Sequence, residues 1–95
     1  MKYLVLAGNY VQFKEYLKIK GDWRELEGKT YKYIRENSVR DTVGCRSDEW
    51  EVLLCGTYRE RSDCGHILWY LNSCGFKMFL VDYVEIVTVP YSIEK

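Results

Sequence analysis

Apolar and polar positions along this chain follow two alternating rhythms. Lys2–Ala7 is an apolar run after one charged step, the pattern of a central strand buried on both faces. Gly8 ends it. Asn9 can cap a helix, with Gln12 at capping-box spacing. Phe13 and Leu17 give that helix an apolar face, joined by Tyr10 or Val11, while Lys14, Glu15 and Lys18 take the other. Lys18 and Lys20 suit its C-terminus, and Gly21 its stop. Residues 22–29 are a charged connection anchored by Trp23 and Leu26, with room for one helical turn. Residues 30–35 alternate around Tyr31, Tyr33 and Ile34 and predict a second strand, polar enough for a sheet edge.

The second half repeats the theme. Ser38 and Gly44 can open and close a very short helix. Trp50–Cys55 predicts a third strand with Val52, Leu53 and Leu54 as its buried centre, and a polar turn follows over 56–61. From Ser62 or Asp63 a second long helix runs through Asn72, with Cys64, Ile67, Leu68 and Leu71 on one face and Gly75 as its stop. Residues 76–89 are β-rich (Phe79, Leu80, Val81, Tyr83, Val84, Ile86, Val87, Val89) and long for one strand. A bend near Asp82 would divide them. Pro90 bars continuation in a central ladder, and the rest reads as tail. Strands alternating with helices predict one α/β domain over 1–95: a four-stranded, mainly parallel sheet between helix layers. The most apolar strands, one and three, are central, in the order 2-1-3-4.

Composition narrows the function classes. A formal charge of zero offers no bulk attraction for DNA, RNA or an acidic membrane. No apolar run approaches the ~18–20 residues of a membrane helix, and the start turns polar too quickly for a signal peptide. A cytoplasmic protein is expected. Its four cysteines are then free thiols, with Cys55, Cys64 and Cys74 as small core residues. Their spacing matches no zinc pattern, and Cys64-Gly-His66 supplies only two ligands. No metal and no cofactor are expected. Nine tyrosines and three tryptophans add core area and could also supply a surface for self-association or a partner, so a homo-oligomer is expected. Five of the six arginines fall between 35 and 61, in the expected strand-end loops.

In an open parallel sheet, ligands bind beyond the carboxyl ends of the strands, where strand order reverses. That places Gly8-Asn9-Tyr10 opposite Gly56-Thr57-Tyr58. Both turns precede helix N-termini, which favour anions, and glycine permits close backbone approach. Arg59 and Arg61 could clamp a phosphate, with Arg35 at the end of the second strand. Tyr10 and Tyr58 could stack on a base. The expected ligand set is Gly8, Asn9, Tyr10, Arg35, Gly56, Thr57, Tyr58, Arg59 and Arg61. The plainer account is that the glycines end strands and the arginines pair with neighbouring carboxylates. Neither G-x-G-x-x-G nor a P-loop is present. Catalytic groups are sparse. His66 has no evident nucleophile partner, and Glu60 and Asp63 are weak carboxylate candidates, better suited to capping and ion pairs.

Residues 52–63 (VLLCGTYRERSD) and 3–10 (YLVLAGNY) resemble small Rossmann-like proteins encoded by tailed bacteriophages, over nearly the whole chain. The resemblance implies a Rossmann-like or flavodoxin-like three-layer sandwich, a phage origin and a place in the host cytoplasm. The chain is also similar to the nucleoside deoxyribosyltransferase-like fold. That likeness implies a loop carboxylate, Glu60 or Asp63, but the glycine-rich context is missing. The expected function is a binding protein holding a nucleotide-like anion at the strand ends, which would suit sequestration of a host immune nucleotide (anti-defence). The alternatives are a module binding a host protein through Trp23, Trp50, Trp69 and Tyr91, or a nucleoside-processing enzyme.

Overall fold

A computed structural model of the chain describes residues 1–82 and 87–91. Tyr83, Val84 and Ile86 lie outside the described residues. Strand β1 (Lys2–Ala7) is interior, with Leu4 to Ala7 fully buried. Helix α1 (Tyr10–Lys20) begins at Asn9, whose Oδ1 accepts the Gln12 N–H at 3.0 Å. It ends at Gly21, whose N–H bonds to the Leu17 carbonyl. The single turn α2 (Trp23–Leu26) is capped by Asp22. β2 (Tyr31–Tyr33) follows, then a 3-10 turn (Val39–Thr42) and β3 (Trp50–Cys55). A second 3-10 turn (Tyr58–Glu60) leads into α3 (Cys64–Ser73), and β4 (Met78–Asp82) and β5 (Val87–Tyr91) complete the described chain.

The sheet runs β2-β1-β3-β4-β5, parallel except for the antiparallel pair β4–β5. The expected order 2-1-3-4 is thus extended by a fifth strand, because the long β-rich run folds back on itself. Hydrogen bonding explains where Pro90 goes. The Val52 N–H donates to the Lys77 carbonyl at 2.9 Å, so odd residues of β4 bond towards β3 and even ones towards β5. Phe79 and Pro90 face each other without exchanging hydrogen bonds, and the proline's missing N–H falls on the outer edge. Pro90 therefore lies inside the strand and blunts the edge rather than ending it. Tyr91, expected in the tail, closes β5.

Two apolar layers sandwich the sheet. On one face Phe13, Tyr16 and Leu17 of α1 pack on Val5, Ala7, Tyr31, Leu53 and Cys55. On the other, Ile67 and Leu71 of α3 pack on Leu4, Leu6, Val52 and Leu54, joined by Ile34, Tyr58, Phe76 and Met78. Tyr16 joins the buried face of α1, whereas Tyr10 and Val11, either of which was expected there, are both exposed. Cys74 is exposed, outside the core. Ser38 makes no side-chain cap.

Candidate functional site

The two glycine turns meet, as the topology requires, because β1 and β3 are parallel neighbours paired up to Ala7 and Cys55. The space between them is filled by Gln12. Its Oε1 accepts the Gly8 N–H and the Thr57 N–H, both at 3.0 Å, and its Nε2 donates to the Thr57 hydroxyl at 2.9 Å. Gly56 has φ +57, and a Cβ there would overlap the Gln12 amide oxygen. A Cβ on Gly8 would overlap the Thr57 hydroxyl. These glycines make room for a glutamine side chain, and the amide oxygen sits where an anion's oxygen would. Gln12 thus does more than the expected capping partner: its backbone completes the Asn9 cap and its side chain ties the two turns together.

Arg61 also serves the fold. Its side chain is 1% exposed and forks onto Asp63, Nε to Oδ1 and Nη2 to Oδ2, both at 3.0 Å. Nη1 donates to the Ala7 carbonyl at 3.1 Å and the Ile34 carbonyl at 2.6 Å. The guanidinium thereby closes the ends of β1 and β2 instead of facing a ligand. Asp63 additionally accepts the Asn37 N–H at 2.8 Å, holding Asn37 at φ +57. Burial pushes the Asp63 carboxyl up, but the Arg61 hydrogen bond and the Asn37 N–H outweigh it and hold it below its ordinary range. A carboxylate engaged in this way is neither the nucleophile nor the base considered from the sequence, and it does not cap α3.

The other expected residues divide between core and rim. Tyr58 is buried in the α3-side core and cannot stack on a ligand. Arg59 is exposed, with Nε donating to the Tyr58 hydroxyl at 3.1 Å. Asn9 and Glu60 are exposed. Burial raises the Cys45 and Cys64 thiols, which leaves neither activated as a thiolate. Among the described residues no His, Cys, Asp and Glu cluster fits a metal, and no helix is long and apolar enough to cross a membrane.

Tyr10 and Arg35 line an open cleft beside the crevice, at the outer edge of β2. Its volume is about 400 Å³, and Glu27, Gly28, Lys32, Tyr33 and Asp41 complete the lining. The rings of Tyr10, Phe13 and Tyr33 form a cluster with centroids 5.3–5.8 Å apart. Beneath them, the Arg61 guanidinium lies 5.9 Å from the Tyr33 centroid. Tyr10 donates to Glu27 at 2.7 Å, and this bond to a carboxylate raises its phenol pKa. Burial raises that of Tyr33. Both phenols stay neutral near pH 7. The fork of Arg35 onto Asp41 (Nη2–Oδ1 2.8 Å, Nε–Oδ2 3.0 Å) uses Nε and Nη2. Among the described residues neither Nη1 nor the Lys32 ammonium has a hydrogen bond or ion pair, and Lys32 lies near enough to Cys45 to act on its thiol.

The β2 backbone adds a further feature. Tyr3 N–H bonds to the Thr30 carbonyl and Ile34 N–H to the Val5 carbonyl. Even-numbered residues therefore bond to β1, and the N–H and C=O of Tyr33 point outward at the cleft. Periodicity could not reveal this site, because its parts come from α1, the α2–β2 turn, β2 and the 3-10 turn. Only Tyr10 and Arg35 were legible, through their places after strand ends. Compared with protein-family models, with curated proteins and with solved structures, the chain finds no match in any of the three.

Proposed function

We propose that this chain is a non-enzymatic binding protein that holds a planar, anionic, nucleotide-like molecule in the cleft at the β2 edge. The observation that carries the reading is an aromatic wall at a cleft rimmed by cations: Tyr10 and Tyr33 on the α1 face, Arg35 beyond the end of β2, and Lys32, which comes from the opposite face of that edge strand, around about 400 Å³. That volume falls within the range of roughly 300–1,000 Å³ common for small-ligand sites. A base would lie against the tyrosine rings and bond to the outward Tyr33 backbone, while a phosphate would meet Lys32 and the free side of Arg35. The sheet is compatible with a Rossmann-like arrangement, and the cleft lies along its outer strand β2, beside the crevice that Gln12 fills. The phage resemblance of residues 3–10 and 52–63 makes sequestration of a host immune nucleotide in the host cytoplasm one concrete use.

The test is a thermal-shift panel of nucleotides and cyclic nucleotides, followed by calorimetry on Tyr10→Ala and Lys32→Ala. At least one compound should raise Tm, and both variants should weaken its binding. A panel without any shift, or unchanged affinity in both variants, removes the reading.

One observation favours a second reading, an interaction module that can include a second copy of this chain. Trp69 on the outer side of α3 is 63% exposed, which is unusual for so large an apolar side chain. The other expected anchors, Trp23, Trp50 and Tyr91, are half-buried. Lys14 and Arg24 stack on Trp23, and Lys2 lies over Trp50. Light scattering on the wild type and Trp69→Ser separates this reading from the first.

A further inference from the structure

A second cavity, of about 220 Å³, opens on the α1 face of the sheet at the opposite end from the strand-end crevice. It is lined by Tyr3, Tyr16, Lys20, Tyr31, Glu51, Leu53, Phe79 and Thr88. It lies at the margin of α1, which packs chiefly on β1, β2 and β3. Beyond the helix, Phe79 and Thr88 continue the sheet face without a covering element among the described residues. Cross-strand register puts Tyr31, Tyr3 and Glu51 in one row, with Leu53 and Phe79 in the next. Tyr3 and Tyr31 stack at 5.1 Å, and Tyr16 meets Tyr31 edge-on at 6.0 Å. This wall is rigid, since Tyr16, Tyr31 and Leu53 are buried in the core.

Charge makes the cavity more than a packing gap. Glu51 is half-buried, yet among the described residues it has neither an ion pair nor a hydrogen bond. Lys20 lies on the helix side, with its ammonium 5.7 Å from the Tyr16 ring centroid, and it too lacks an ion pair there. An ammonium and a carboxylate thus border one hole without neutralising each other. A lone cation would meet Lys20, and a lone anion would meet Glu51. A molecule bearing both charges answers both walls. The volume is below the roughly 300 Å³ at which sites for larger ligands begin, so a nucleoside is too big.

The geometry points to a binding site for a free amino acid or a close zwitterionic relative, its carboxylate on Lys20, its ammonium on Glu51, and its side chain against Leu53 and Phe79. The tyrosine rings flank the ammonium, an arrangement that attracts cations. This site shares no lining residue with the cleft at the β2 edge.

Calorimetry of the full chain against the twenty common amino acids, with choline and butyrate as single-charge probes, tests the assignment. At least one amino acid should bind while choline and butyrate do not. Glu51→Gln and Lys20→Met should each weaken that amino acid by roughly tenfold or more, whereas Tyr10→Ala should leave it unchanged. Lys20 is exposed, so Lys20→Met remains informative if Glu51→Gln folds poorly. Absence of binding by every amino acid, choline binding as well as the best amino acid, or wild-type affinity in both charge variants would overturn the proposal. None of these outcomes bears on the nucleotide panel.

Discussion

Gln12 grips Thr57 twice across 45 positions of sequence, its Oε1 accepting the backbone N–H and its Nε2 donating to the hydroxyl. The same oxygen holds the Gly8 N–H. One side chain therefore ties the exits of the two central strands. Gln12→Ala removes all three bonds and is expected to cost about 1–3 kcal/mol, since two half-exposed N–H groups lose their partner but can recruit water. That loss lowers Tm by several degrees in a domain of this size. A Tm within about one degree of wild type would show that the grip does not matter.

Arg61 should be the most sensitive polar position. Arg61→Ala strands the buried Asp63 carboxylate and two strand-end carbonyls. Breaking a buried pair on one side costs about 3–5 kcal/mol, a large share of the roughly 5–15 kcal/mol that holds a domain together. Arg61→Lys keeps the charge but not the fork, and should fall between wild type and alanine in urea denaturation. Alanine at Arg59, which is exposed, should stay within about 0.5 kcal/mol of wild type. Equal effects at 59 and 61 would contradict this account.

Stability should fall in acid. The Asp63 carboxyl is held below its ordinary range in the folded chain. Such a group adds stability above its unfolded pKa, and the gain disappears as pH drops through the folded pKa. Asp41 is also lowered, chiefly by its hydrogen bond from Arg35. That arginine is 71% exposed, so solvent screening makes its share smaller. Urea midpoints should be level from about pH 7 to 5 and decline below about pH 4. Asp63→Asn should start lower and decline less steeply. An equally steep acid limb in that variant would assign the effect elsewhere.

Glycines should respond according to their surroundings. Gly65 lies in the first turn of α3, where a Cβ would meet no atom within 4 Å and φ is not left-handed. Gly65→Ala should stabilise by about 0.5–1 kcal/mol. Gly56→Ala combines a left-handed φ with overlap on Gln12 and should destabilise by about 1–2 kcal/mol or more. Thermal melts of the two variants should move in opposite directions.

Apolar patterning alone determined the alternation of strands and helices, the bounds of β1 and β3, and the central place of both. Burial on two faces leaves an unbroken apolar run, and that signal is local. It also brought residues 8–10 and 56–61 to one edge, because parallel neighbours must exit together. The tasks of the polar residues there were decided by tertiary structure. Arg59 and Arg61 are two positions apart and chemically identical, yet one is exposed and the other is sealed against Ala7 and Ile34. Likewise Gln12 became the filling of the crevice, and Tyr58 a core residue. A polar side chain's partners come from distant segments, so its role follows from packing and hydrogen-bond geometry, which no local rhythm encodes.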